Sequence, residues 1–396
     1  MLKRTEIMLL AMSASVALVL SIAAGRPGQA KTTPPPSIPA VADQVRQAIA
    51  ANDVAGAVTL VATPGGIVHL DVAGWADIAG RKPMQADTIF WIASMTKPIT
   101  ATAVLMLQDQ GKLSVDDPVE KFLPEFSELK TKEGKPARIT IKQLLTHTSG
   151  LAEISADQAR GRKTLAELIP LYVAQPVQFA PGTKWVYCQS SINTAARIVE
   201  VASGQPFVEF LELHLFAPLG MTDTTFYLSS EQLPRLAKSY RKTDENTLEE
   251  AENFILLGHS PTSRERFPAA NGGLFSTAPD YARFCQMVLG GGQLDGQQYL
   301  RPESVELMTA LQTEELKTGF TPGNGWGLGW CVVREPQGVS EALSPGSFGH
   351  GGAFGTQAWI DPAKKRIYIL MVQRANFPNA DASDLRRRFQ EAAAAR

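Results

Sequence analysis

The sequence predicts an α/β domain built on a discontinuous antiparallel sheet flanked by helices, with an all-α domain inserted between its halves. Three observations carry this expectation. Short β-prone runs bounded by turn residues lie near both ends of the chain, at 54–62 and 67–74 and again at 326–333, 355–360 and 366–372. The stretch between them is patterned for helices, and amphipathic runs at 38–52 and 383–396 bracket the whole. The expected division is a sheet domain of residues 40–85 and 271–396 around a helical domain of residues 86–270.

Each element has a local reason. Pro64-Gly65-Gly66 is a short turn that joins the first two strands as a hairpin, and Asp361-Pro362 opens a turn between the last two. Helical periodicity recurs at 101–110, 140–146, 164–173, 192–203 and 207–215, with Thr140 and Pro206 as starting signals. Residues 238–268 are charged and lack a pattern, so they read as a long surface excursion. At the N-terminus, Lys3 and Arg4 precede an apolar run at 7–24, and Gly28-Gln29-Ala30 offers a small-residue cleavage site, with Ala23 and Gly25 as rivals. Residues 1–30 therefore read as an export signal and 31–39, with Pro34-Pro35-Pro36, as a Pro-rich tether. An uncleaved anchor is the competing reading, disfavoured by Ser13, Ser15 and Ser21 inside a run short for a span. The expected location is periplasmic or secreted.

Composition excludes several functions. A chain of 396 residues with 44% apolar and 19% charged residues is ordinary for a globular protein, and a net charge of −1 gives no general affinity for nucleic acid or anionic membrane. Three cysteines, Cys188, Cys285 and Cys331, permit at most one disulfide. The five histidines have no paired spacing, which gives a metal site little support, and with neither GxGxxG nor GxxxxGK(S/T) in the chain no cofactor is implied. The sequence sets no oligomeric state.

Chemistry enters at Ser94-Met95-Thr96-Lys97. A hydroxyl and an amine three residues apart share one face of a helix, and a lysine in a dry pocket loses enough basicity to take a serine proton. Ser127-Glu128-Leu129-Lys130 and Ser239-Tyr240-Arg241-Lys242 match the spacing too, but they lie in polar, charged text. Only Ser94 stands between a β-prone run, 88–93, and a nearly all-apolar helical run that ends at Gly111, with Pro98 marking the first turn. A buried helix of this kind presents its N-terminal N–H groups in a site shielded from water. Tyr187, in a turn just before a helical run, is a candidate proton carrier beside a lysine, although a core tyrosine is its commoner role. The glycine-rich segment 347–355 contains His350-Gly351-Gly352 and lets backbone approach a substrate closely, or simply turns the chain. No GxSxG follows it, which removes an α/β-hydrolase reading.

In this order, Ser94-x-x-Lys97, Tyr187-x-Gln189 and His350-Gly351-Gly352 resemble the three motifs of the serine β-lactamase and penicillin-binding-protein superfamily. Leu144-Leu145-Thr146-His147-Thr148-Ser149-Gly150-Leu151, Gly272-Gly273-Leu274-Phe275-Ser276-Thr277 and Gly327-Leu328-Gly329-Trp330 are similar to the class C branch, and the likeness spans about 40–375. The resemblance implies a β-lactamase/transpeptidase-like fold with the site in a cleft. It also implies an acyl-enzyme on Ser94, proton transfer by Lys97 and Tyr187, an oxyanion held by the N–H groups of Ser94 and Ala353, and substrate contacts from Gln189, His350, Gly351 and Gly352. Two departures bear on substrate. Gln189 replaces the usual asparagine, with Asn193 a weaker candidate for that role, and His350-Gly351 replaces Lys-Thr. Loss of one charge-assisted hydrogen bond to a substrate anion costs about 1.5–3 kcal/mol. That shifts the expectation to a serine hydrolase of small-molecule esters, ahead of a β-lactamase or D-amino-acid-specific peptidase or amidase, and ahead of a non-hydrolytic sensor.

Overall fold

The computed structural model describes residues 36–395. The regions read as export signal and most of the tether lie outside the described residues. Helix α1, Pro39–Ala50, starts on a proline at its first turn. Strands β1, Gly56–Thr63, and β2, Gly66–Asp77, form the expected hairpin, and the short β3, Lys82–Pro83, pairs with the end of β2. From the other end of the chain come β4, Asn324–Trp326, β5, Cys331–Val333, β6, Phe348–Gly351, β7, Gln357–Asp361, and β8, Arg366–Met371. Together they make one eight-stranded sheet in the order β4-β5-β6-β7-β8-β1-β2-β3, antiparallel throughout.

The two segments that meet are β1 and β8, with Val58 opposite Met371 and Leu60 opposite Ile369. Both strands read as continuous apolar runs because both sheet faces are covered. Ala57, Val61, Tyr368, Leu370 and Val372 point into a core with α1 and the closing helix α5, Asp384–Ala394, whose N-cap is Ser383. Val58, Leu60, Ala62, Ile367, Ile369 and Met371 point to the larger core on the other face, against helix α4, Ala278–Leu289. That core also holds α2, Thr96–Asp109, packed on α3, Gln189–Ser203. Of the segment read as a tether, residues 36–39 lie against β2: the Pro36 carbonyl accepts from Leu70 N–H, and Ile38 N–H donates to His69 Nδ1.

The structure corrects several boundaries. The run 326–333 is not one strand but the hairpin β4–β5, because Gly329, at φ +74°, turns the chain. The glycine-rich segment expected to lie between strands is itself strand through Gly351. The helix read at 164–173 is broken into a 3₁₀ turn, Ala166–Leu168, and a short helix, Ile169–Val173. The excursion 238–268 carries a small hairpin, Tyr240–Lys242 with Leu248–Glu250.

Gly329 also seats the sheet on the helix that carries the Ser-Lys pair. A Cβ there would come within 2.8 Å of Ala101 Cβ and 2.9 Å of the Lys97 carbonyl oxygen, and its φ disfavours any side chain. Gly329→Ala should cost about 2–4 kcal/mol from left-handed strain plus overpacking. Chemical denaturation should show this with an unchanged m-value, and wild-type stability would refute the close approach.

Candidate active site

Ser94 lies in a 3₁₀ turn, Ala93–Met95, that runs straight into α2. The turn is pinned on every side. Phe90-Trp91 pairs with Phe275-Ser276, Trp91 Nε1 donates to the Gly272 carbonyl at 2.6 Å, and Thr96 Oγ1 donates to the Ala93 carbonyl at 2.7 Å. Tyr281 donates its hydroxyl proton to the Met95 carbonyl at 2.8 Å. These bonds hold Ala93 at φ +46°, a left-handed conformation that costs energy for any residue with a Cβ. Helix α2 is buried along one entire length, from Thr96 to Leu107, so its first turn opens into the protein interior.

Lys97 is completely buried. Its Nζ lies 3.0 Å from Ser94 Oγ, donates to the Asn271 carbonyl at 2.6 Å, and sits 4.5 Å from the centre of the Tyr187 ring. Burial disfavours the ammonium and pushes its pKa down to about 7, while the more distant carboxylates of Glu153 and Asp381 pull it back up. A hydroxyl thus stands next to an amine that is substantially neutral at neutral pH.

Tyr187 comes from the extended segment before α3. Its ring is packed 4.4 Å from the ring of His147 and 4.9 Å from that of Phe320, with Trp185 and Trp326 behind. Burial holds the phenol's pKa well above the usual value near 10, against the smaller opposing effect of the neighbouring Ser94 hydroxyl. Its second neighbour is His350 Nε2, at 3.4 Å. The Gly351 carbonyl, 2.7 Å from His350 Nδ1, can only accept, so Nδ1 carries the proton and Nε2 is left as the acceptor facing the phenol. Burial and the nearby Lys97 push the imidazole pKa down to about 3, so this ring is neutral.

The remaining residues singled out from the sequence take varied positions. Gln189 heads α3 and accepts from Asn271 Nδ2 at 3.0 Å, while Asn193 Oδ1 accepts from Asn271 N–H at 3.2 Å. Both amides converge on the residue whose carbonyl holds Lys97. The Gly352 N–H is already bonded to the Thr356 carbonyl, and a Cβ there would meet the Ile92 carbonyl at 2.7 Å. The Ala353 N–H, on the exposed turn beyond it, has no hydrogen-bond acceptor among the described residues. A Cβ at Gly351 would overlap the side chains of Asp381 and Gln357.

Sequence reasoning missed four residues here. Asn271 orients the amine; its only signal was its place before the Gly272-Gly273 pair. His147, buried at φ +60°, backs the Tyr187 ring and accepts from Cys188 N–H at 3.1 Å. The Glu153 carboxylate accepts from Gln189 N–H, and at 3.1 Å from Ser190 N–H, capping α3 from 36 residues away in sequence. Asp381 adjoins His350 across a small cavity. Cys188, by contrast, is packed and inert: its thiol donates to the Leu151 carbonyl and burial pushes its pKa up to about 12.

Beside Gln189 and Asn271 opens a cavity of about 360 Å³, walled by Ile154, Ala159, Phe254, Ile255, Leu257 and Phe267. Its exposed surface is mainly apolar, although Glu153, Ser155, Ser190 and Asn193 also line it, and it is large enough for an acyl group of several carbons.

The Beta-lactamase family model matches residues 41–393. Protein Rv1367c of Mycobacterium tuberculosis is 34% identical over 86% of this chain and 90% of its own length. Esterase EstB of Burkholderia gladioli is 30% identical over 83% of this chain and 88% of its own length. Among solved structures, EstCE1, a hydrolase with promiscuous acyltransferase activity, superposes with a TM-score of 0.76 at 24% identity, covering 90% of this chain and 97% of that one.

The buried amine carries a stability consequence. It titrates near 10.5 when the chain unfolds and near 7 in the fold, so the unfolded state binds more protons between these values and stability rises with pH there. Below about 7 the penalty is complete. Lys97→Met should therefore raise the melting temperature at pH 7 by several degrees, and the gain should shrink towards pH 10. Scanning calorimetry at both pH values checks this, and a lowered melting temperature at pH 7 would contradict the depressed pKa.

Proposed function

The chain belongs to the Beta-lactamase family, and from that premise we propose that it is a serine hydrolase of carboxylic esters that works through an acyl-enzyme on Ser94. The observation that carries this reading is the contact between Ser94 Oγ and a fully buried Lys97 amine with a pKa near 7. In the free protein the amine is the better base of the pair, because the Tyr187 phenol is held protonated well above neutrality. Lys97 takes the Ser94 proton as Oγ attacks the ester carbonyl. The N–H groups of Ser94 and Ala353 receive the oxyanion. Collapse expels the alkoxide, which takes the phenol proton of Tyr187; Lys97 then returns its proton to the phenolate. Water, giving its proton to the same pair, attacks the acyl-enzyme and releases the acid and free Ser94.

Preference for esters rests on what surrounds this chemistry. The third motif offers a neutral imidazole in place of a cation, so no fixed positive charge awaits a substrate carboxylate there. The cavity beside Gln189 and Asn271 exposes mainly apolar surface. The relatives named esterase EstB and lovastatin esterase, the latter from Penicillium rubens at 30% identity, support the same reading. The apolar run and basic residues within 1–30 support export of the mature protein, which N-terminal sequencing of the exported form tests.

Ser94→Ala should lower kcat/KM for short-chain nitrophenyl esters by about 10³-fold or more, with the fold intact by circular dichroism. Retained wild-type hydrolysis would remove Ser94 from the mechanism. In the parent, kcat/KM should rise with pH through an apparent pKa near 7, because the ammonium form of Lys97 cannot accept the serine proton. A flat profile between pH 5.5 and 8.5 would be inconsistent with Lys97 as the base.

A further inference from the structure

We propose that Asp381 determines specificity by excluding substrates whose alcohol portion carries a carboxylate. This inference rests on the ester-hydrolase reading and narrows it to neutral leaving alcohols.

The argument starts from Gly351. In β6 it follows His350, and the space that its side chain would fill is occupied from outside by the Asp381 carboxyl, together with the Gln357 amide. A side chain at 351 fits only if both of these groups move. The position next to the imidazole therefore presents an acidic group in place of a small hydroxyl. Asp381, His350 and Gly351 share the walls of a cavity of about 10 Å³ with Phe320, whose ring packs on Tyr187 and is itself partly exposed. The carboxyl thus lies just behind the wall along which the reacting groups stand.

Burial raises the pKa of the Asp381 carboxyl, and Arg386, Gln357 and Lys97 pull it back towards the ionised form. Among the described residues it has no ion-pair partner within 4 Å. Arg386, the nearest guanidinium, is spent elsewhere: it donates to the Asp381 backbone carbonyl, to Ser340 Oγ at 3.3 Å and to Gln390 Oε1 at 3.3 Å, and it stacks 4.0 Å from the Trp359 ring. From β7 the Gln357 amide, whose Nε2 donates to the Ala380 carbonyl at 3.0 Å, adjoins the carboxyl, and from β6 His350 faces it as a neutral ring. Lys97, on α2, is the other cation acting on it, and that amine is committed to Ser94 and Asn271.

Direction follows from the proton transfer. Tyr187, which protonates the departing alkoxide, has its phenol 3.4 Å from His350 Nε2, whereas the mainly apolar acyl cavity lies on the side of Gln189 and Asn271. The alcohol therefore leaves along β6, past Asp381. An anionic group on the alcohol meets a second anion in a poorly solvated wall, and a like charge at close range is strongly disfavoured there.

The test compares phenyl acetate with 3-acetoxybenzoate, which share the acyl group and differ by a carboxylate on the leaving phenol. The parent should prefer the neutral ester by at least 100-fold in kcat/KM, and the isosteric Asp381→Asn, which also removes a charge acting on Lys97, should cut that preference at least tenfold whatever it does to phenyl acetate turnover itself. An unchanged preference in the variant, or an equal loss on both esters, overturns the proposal. Turnover of phenyl acetate by the parent reads the esterase assignment separately. Calorimetric binding of benzoate and benzamide to the parent needs neither turnover nor a folded variant: benzamide should bind at least tenfold tighter, and equal affinities would overturn the role of Asp381.

Discussion

The burial of one amine organises this molecule. An ammonium without solvent is costly, so Lys97 at zero exposure obliges its surroundings either to stabilise the charge or to let it go. The fold does part of each. One backbone carbonyl, from Asn271, and one aromatic face, from Tyr187, touch the amine, while the carboxylates of Glu153 and Asp381 act from farther away. Closer carboxylates would keep it an ammonium at all relevant pH values, and none at all would leave it neutral but loosely held. The intermediate arrangement leaves a base poised near neutrality, and it requires the wholly apolar α2, the Gly329 turn against its first residues, and the segment 269–274 that brings Asn271 in.

Around that amine the other groups are kept neutral as well. His147 and His350 flank the Tyr187 phenol from two sides, and burial and the proximity of Lys97 lower both of their pKa values. With Tyr187 raised by the same burial, the cluster holds its protons on the phenol and on His350 Nδ1. A single proton can then move among Ser94, Lys97 and Tyr187 without a competing charge nearby.

Much of the fold was legible in the sequence because its strongest signals are local. The Pro64-Gly65-Gly66 turn, the apolar runs of β1 and β8, and the capping box at Thr140 depend on neighbours a few residues apart. The boundaries that shifted are places where distant packing decides. Gly329 breaks a strand-like run because α2 leaves no room for a side chain, and the glycines at 349 and 351 lie in a strand although glycine disfavours one, because Trp359, Gln357 and Asp381 fill the space beside them. The same holds for the site. Ser94 and Lys97 are three residues apart and visible as a pair, whereas Asn271, Glu153 and Asp381 reach the cluster through contacts 30 or more residues long, which no local pattern encodes.

The pairing of β1 with β8 has a consequence in time. A chain made from its N-terminus presents the β1–β2 hairpin early, with both faces of β1 apolar, yet the strand that completes it, with Met371 opposite Val58, is among the last segments to appear. The sheet cannot close until almost the whole chain is available, and its long sequence separation makes that step slow. A sheet with this topology stays incomplete while residues 64–365 are being made. A chain that ends before β8 leaves β1 with an unpaired apolar edge that invites association with another such edge.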